Sequence, residues 1–166
     1  MTDNAIVLLD ALLAERDRLR GGDPLPADQA FELFAFDQCL KEEDLSQEEI
    51  ANGQVGGGDD GGVDGLYCFL DGNLLEEDAE VLEDGFDATS VRREPELVLV
   101  VIQVKTTPSF GETAFEKLAA TLREFLDLGK TDDELAALFS EAVVARFSIF
   151  RIAWQRLATR HPKIVV

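Results

Sequence analysis

The sequence predicts a three-layer α/β domain with a central mixed β-sheet flanked by helices, and three observations predict it. The hydrophobic patterns run in the order helices, strand, irregular excursion, strand, two helices, strand, which suits a sheet between helix layers rather than a bundle. The stretch ELVLVVIQVKTT is β-branched and almost continuously apolar from Leu97 to Val104, as expected of a central strand buried on both faces. The chain's 166 residues, 46% of them hydrophobic, suffice for one domain around a single core.

Taken in order, Asn4 to Arg20 has Ile6, Leu9, Leu12 and Leu13 at helical spacing and stops at Gly21-Gly22, a helix terminator. After DPLP, the run ADQAFELFAFDQCLK puts Phe31, Phe34 and Leu40 on about one helical face, and SQEEI reads as a cap with its first turn. VDGLYCFLDG is too short for a helix, bounded by glycine and rich in aromatic residues, so it reads as a strand turning at Asp71-Gly72. From Asn73 to Pro95 the chain is acidic and irregular, a surface excursion. FGETAFEKLAATLREFLDLG carries Phe115, Leu118, Leu122, Phe125 and Leu126 at helical spacing. The stretch 131–160 reads as one long helix with Thr131 as its N-cap, acids in its first turn and arginines in its last. HPKIVV begins a strand at 163–166 that the chain's end cuts off, so a fragment of a longer protein is expected. The expected single domain, 1–166, thus has a helical amino-terminal part (1–45), a core that carries the chemistry (56–128), the long helix and the strand start.

Charge narrows the function classes. The net charge is -19, and between Lys41 and Arg92 there is no basic residue, while Glu42 to Asp87 hold sixteen acids. Residues 101–166 balance nine Lys or Arg against eight Asp or Glu, so the excess acid belongs to the first hundred residues. Such a surface repels nucleic acid unless metal ions or another region compensate, because Lys and Arg neutralising phosphates supply most of that affinity. The opening residues lack a basic n-region, and no apolar run approaches the roughly 18–20 residues of a membrane span, so a cytoplasmic protein without membrane contact is expected. Cys39 and Cys68 share no metal-ligand spacing with each other or with His161 and read as buried free thiols. Arg146, Arg151, Arg156 and Arg160 read as a solvated helix flank, with phosphate contact as the alternative.

Chemistry is concentrated in two places. GGGDDGGVDGLYCFLDG, residues 56–72, holds seven glycines and four aspartates immediately before and after a strand. On the strand expected to neighbour it, Gln103 and Lys105 alternate with Val104 and so share a face. Asp64 on one strand, with an oxygen ligand and a lysine two residues apart on the next, can hold a divalent cation and set an ammonium beside a metal-bound water, the apparatus of phosphodiester hydrolysis. The plainer alternative is a polar pair ending a buried strand, with VDG as a turn. Asp60, Asp64, Gly65 and Asp71 also match some places of a calcium loop, although Gly62 holds its third place and the last place lacks glutamate.

The segments AFELFAFDQCL, GDDGGVDGLYCFLDG and VLVVIQVKTTPSFGE, in that order over about residues 30–117, resemble the amino-terminal region of the abortive-infection phage-resistance (AIPR) family. More broadly they resemble the Mrr-like branch of the PD-(D/E)XK nucleases, with Gly-Gly-hydrophobic-Asp and with Gln-x-Lys in place of Glu-x-Lys. The resemblance implies a restriction-endonuclease-like fold and a Mg²⁺- or Mn²⁺-dependent endonuclease in an anti-phage protein. It implies Asp64 as metal-binding aspartate, Gln103 as second ligand with a main-chain carbonyl near Val104, Lys105 as catalytic lysine and Glu32 as an added acid, with Asp37 as the alternative to Glu32. A neutral amide at Gln103 is a weaker ligand than a carboxylate, which points to a one-metal site. The implied partner is nucleic acid, DNA more than RNA, reached with the help of regions outside this chain. The other reading is a degenerate nuclease-like module that senses, regulates or oligomerises, its acidic excursion meeting a protein partner.

Overall fold

The computed structural model describes residues 4–21, 23–105 and 111–166. The chain divides into two compact units, Met1–Ala51 and Asn52–Val166. Among the described residues no helix is long and apolar enough to cross a membrane.

The first unit is helical. Helix α1, Asn4–Arg20, stops where Gly21 takes φ +71°, and helix α2, Ala27–Cys39, follows after the DPLP turn. Arg16 joins them, its guanidinium 2.7 Å from the Asp37 carboxylate and 5.5 Å from the centre of the Phe34 ring. Only one stripe of α1 finds a neighbour, so Leu9 and Leu13 are half-buried while Ile6 and Leu12 of the expected apolar face stay exposed. On α2 the fully buried ring is Phe36, and Phe31 and Phe34 are half-buried. Helix α3, Gln47–Asn52, carries the reciprocal cap read from SQEEI: the Glu49 N–H donates to Ser46 Oγ at 3.2 Å and the Ser46 N–H to Glu49 Oε2 at 2.7 Å. Cys39, expected inside, is exposed at the end of α2, where the helix has turned its apolar side to Phe36 and Leu40.

The second unit holds a four-stranded mixed sheet in the order β2-β1-β3-β4, formed by β1 Gly65–Leu70, β2 Asn73–Leu74, β3 Glu96–Ile102 and β4 Lys163–Val165. Strands β1 and β2 form the hairpin read at Asp71-Gly72, whose φ values of +50° and +82° are those of a type I′ turn. Strand β3 runs antiparallel to β1, from Gly65 opposite Ile102 to Leu70 opposite Leu97, and β4 adds to its other edge in parallel. Central as expected, β3 has buried residues on both faces: Leu97 and Leu99 on one, and Ile102 on the other, which it shares with the buried Tyr67 and Phe69 of β1 and the half-buried Val98 and Val100.

The largest core cluster forms on the Leu97 and Leu99 face. Leu66 and Cys68 of β1 join Leu97 and Leu99 beneath helix α4, Glu112–Leu126, and helix α6, Glu141–Arg156. The rings of Phe125 and Phe147 stack there with centroids 3.9 Å apart. Phe115, expected on the apolar side of α4, is 73% exposed, because that side turns Leu118, Leu122 and Phe125 toward the core instead.

The stretch 131–160 is not one helix. It is α5, Asp132–Ala136, and α6, separated by a tightened turn in which the N–H groups of Leu138 and Phe139 both donate to the Leu135 carbonyl at 2.9 Å. The Ser140 N–H leaves the helical ladder altogether and donates to the Asp59 carbonyl at 2.9 Å, so α6 starts afresh with Ser140 as its N-cap. Thr131 does cap α5, in a capping box with Glu134.

The arginines of α6 are not a free flank. Arg151 is buried and donates to the carbonyls of Phe125 (3.1 Å), Asp127 (3.2 Å) and Lys130, closing the end of α4. Arg156 donates to the carbonyls of Val81 (3.2 Å) and Glu83 and fastens the acidic excursion, with its short 3₁₀ turns at Glu80–Leu82 and Ala88–Ser90, onto the helix.

Candidate functional site

Asp64 stands one residue before β1, on the turn that ends the glycine-rich loop. Its N–H donates to the Ile102 carbonyl at 2.9 Å and its carbonyl accepts from the Val55 N–H at 2.9 Å, so the backbone is clamped from both sides. Across the sheet β3 ends at Ile102, because β1 begins opposite it and supplies no partner further on. Gln103, Val104 and Lys105 therefore lie past the strand rather than on it. The Val104 N–H is taken up by the Asp64 carboxylate instead, at 2.6 Å from Oδ2. That short bond joins the two sequence motifs at one end of the sheet.

Gln103 is half-buried and Lys105 exposed. The Gln103 amide rests against Gly62, where a Cβ would lie 2.9 Å from its Nε2, a clash the flexible amide can relieve by shifting; it is φ +86° that favours glycine there. Val104 takes part through its N–H; its carbonyl, the atom implied as a ligand, makes no described contact with Asp64. Glu32 and Asp37 lie on α2 in the first compact unit, with Asp37 held by Arg16. The run of residues after Lys105, 106–110, falls outside the described residues.

Three groups complete the arrangement: Asp60, which the sequence reading weighed as a place in a calcium loop, and Lys117 and Thr121, to which it assigned no role. Asp60 Oδ1 accepts the Gly62 N–H at 2.7 Å and Lys117 Nζ, from α4, at 3.3 Å. Thr121, one helical turn further along α4, donates its hydroxyl to the Gly61 carbonyl at 2.7 Å. An open groove of about 320 Å³ continues from Lys117 between the loop, α4 and the turn after α5, with Leu138 and Phe139 on its wall. A lysine in the middle of an amphipathic helix carries no local signal of such a role. Only its position on the helix that follows the IQVK strand would have suggested it.

The charges act on one another. Burial raises the Asp64 pKa above the ordinary carboxylate value and the nearby Asp60 charge raises it further, while the Val104 N–H and the ammonium groups of Lys105 and Lys117 pull it down. The result is a half-buried acid whose ionised form is under-compensated. Among the described residues no group of three or more His, Cys, Asp or Glu stands ready to hold a metal ion. Asp71 belongs elsewhere. It lies past the far end of the six-residue β1, roughly 20 Å from Asp64 at the rise of a strand. There it accepts Arg92 Nε and the Glu96 N–H, each at 2.8 Å, so these residues do not form a calcium loop. Cys68 is buried and its thiol is pushed up to about 12, an inert core side chain.

Comparison of the chain with protein-family models, with curated proteins and with solved structures found no match.

Proposed function

We propose that the chain is a metal-dependent phosphodiester hydrolase domain of the PD-(D/E)XK type, with a restriction-endonuclease-like three-layer fold, related to Mrr-like nucleases and to the amino-terminal region of AIPR anti-phage proteins. The observation that carries the reading is the 2.6 Å bond from the Val104 N–H to Asp64, which ties a glycine-loop aspartate to the Gln-x-Lys segment at one sheet end. A structural turn needs no such convergence of an acid, an amide and two lysines.

The donor set fits Mg²⁺ or Mn²⁺: hard oxygens, one or two carboxylates and room for waters. Asp64 and the Gln103 amide would hold the ion, and the bound ion would supply Lewis acidity and a water of lowered pKa. Lys105, exposed at the strand end, orients the attacking water and balances charge on the phosphoryl oxygens. Val104 keeps the Asp64 carboxylate turned to the open side. The substrate is nucleic acid, DNA before RNA, in a cytoplasmic setting. With a net charge of -19 the chain reaches it only with a basic surface from another region or another copy.

Incubation of the chain with plasmid, single-stranded DNA and RNA, with and without Mn²⁺, tests the reading. Cleavage that needs Mn²⁺ and is lost in Lys105→Ala is expected; cleavage unchanged in that variant refutes the assignment.

A second reading, a degenerate nuclease-like module acting as sensor or oligomerisation domain or binding a protein partner, is favoured by Gln103 and by the lack of a three-acid group among the described residues. Calorimetry separates the two, since a degenerate site gives no Mn²⁺ binding that depends on Asp64.

A further inference from the structure

Gln103 leaves the strand end one negative charge short of a two-carboxylate site, and the loop holds a second carboxylate nearby. Asp60 opens the turn whose Val63 N–H donates to the Asp60 carbonyl at 3.1 Å, so the turn closes one residue before Asp64. The Gly62 N–H fixes the Asp60 side chain at 2.7 Å and leaves it only 16% exposed. Its partner is held differently. Lys117 reaches it from α4 through a single contact of 3.3 Å, and the lysine side chain is 57% exposed. The lysine stem passes the bare Gly62, where a Cβ would lie 3.5 Å from Lys117 Cδ. The carboxylate is thus the anchored member of the pair and the ammonium the releasable one.

We infer that Lys117 is a built-in competitor of the divalent cation: in the metal-free protein it neutralises Asp60, and cation binding displaces it and releases Asp60 to act as the second carboxylate. This regulation rests on the metal-dependent reading of the Asp64 site. The physical basis is the imbalance between the two cations. A largely exposed ion pair contributes little and its long side chain regains freedom on release, whereas a doubly charged ion gains from both carboxylates at once. Lys117 therefore sets the cation concentration at which the site fills, and acts as a positioning residue through Asp60 rather than on the substrate.

The test is calorimetric titration of Mn²⁺ into the whole chain, with circular dichroism checking that each variant is folded. Lys117→Met keeps the stem beside Gly62 and removes the charge, and on the order of tenfold tighter binding is expected. Lys117→Arg restores the charge and the wild-type affinity. Asp60→Asn weakens binding on the order of tenfold and removes most of the gain from Lys117→Met in the double variant. Unchanged affinity in Lys117→Met, or an equal gain in the Asp60→Asn background, overturns the inference. If Asp64→Asn abolishes binding while Lys117→Met changes nothing, only this inference falls; if Asp64→Asn binds Mn²⁺ like the wild type, the metal site at Asp64 falls with it. Should the wild type show no binding, appearance of binding in Lys117→Met supports the competitor and its absence overturns it.

Discussion

At the scale of residues, the clearest consequence concerns the sign of one charge. Asp64 has its pKa raised by burial above the ordinary value of 3.8. A raised carboxylate binds its proton more tightly in the folded protein, so the associated stability is present below the unfolded value and lost as pH rises through the folded one. At neutral pH ionised Asp64 is therefore a burden on the fold. Asp64→Asn keeps an acceptor for the Val104 N–H and is expected to melt at an equal or higher temperature than wild type at pH 7, with the advantage shrinking as pH falls; thermal melts at pH 7 and near pH 4 check this. A lower melting temperature at pH 7 would show that the carboxylate is structural. Arg151 has the opposite character. Losing its bonds to three carbonyls in Arg151→Met is expected to destabilise by about 2–3 kcal/mol, read from denaturant titration. The meeting of Asp64 with the segment from Gln103 to Lys105 was legible because short motifs mark the start of β1 and the end of β3. The pairing of Asp60 with Lys117 and the buried role of Arg151 were not, since each depends on a contact 21 or more residues away in the chain.

At the scale of elements, legibility followed the locality of the signal. The Asp71-Gly72 turn and the caps at Ser46 and Thr131 are set by residues within three positions of one another, and all appear as read. Replacing Thr131 with Ala is expected to cost about 1 kcal/mol by removing the capping box, measurable as a shift in the denaturation midpoint. The break between α5 and α6 escaped the periodicity because no glycine or proline marks it. It is enforced by a bond from Ser140 to the distant Asp59 carbonyl, and a tertiary contact overrides the local preference for helix. The exposed Phe115 and the exposed Ile6 and Leu12 of α1 have the same origin: apolar pattern says that a face can be covered, not that a neighbour is present.

At the scale of the whole molecule, charge dominates. A net -19 repels itself in the compact state, so added salt should stabilise the protein. A rise in melting temperature of roughly a few degrees between 10 mM and 300 mM NaCl is expected, since the screening length falls below the spacing of surface charges; a fall would mean that ion pairs such as Lys163 with Glu96 outweigh the repulsion. The split into two compact units was not visible in the composition, since the acidic excess runs through residue 51 and ends only near residue 100. The glycine-rich loop, finally, is unevenly constrained. Ser140 grips the Asp59 carbonyl and Thr121 the Gly61 carbonyl, whereas Gly57 and Gly58 have nothing within 4 Å of where a side chain would sit. The segment thus offers a ready attachment point just upstream of its fixed half, where an inserted tag or fluorophore would report on the proposed cation site without disturbing the bonds that hold the loop.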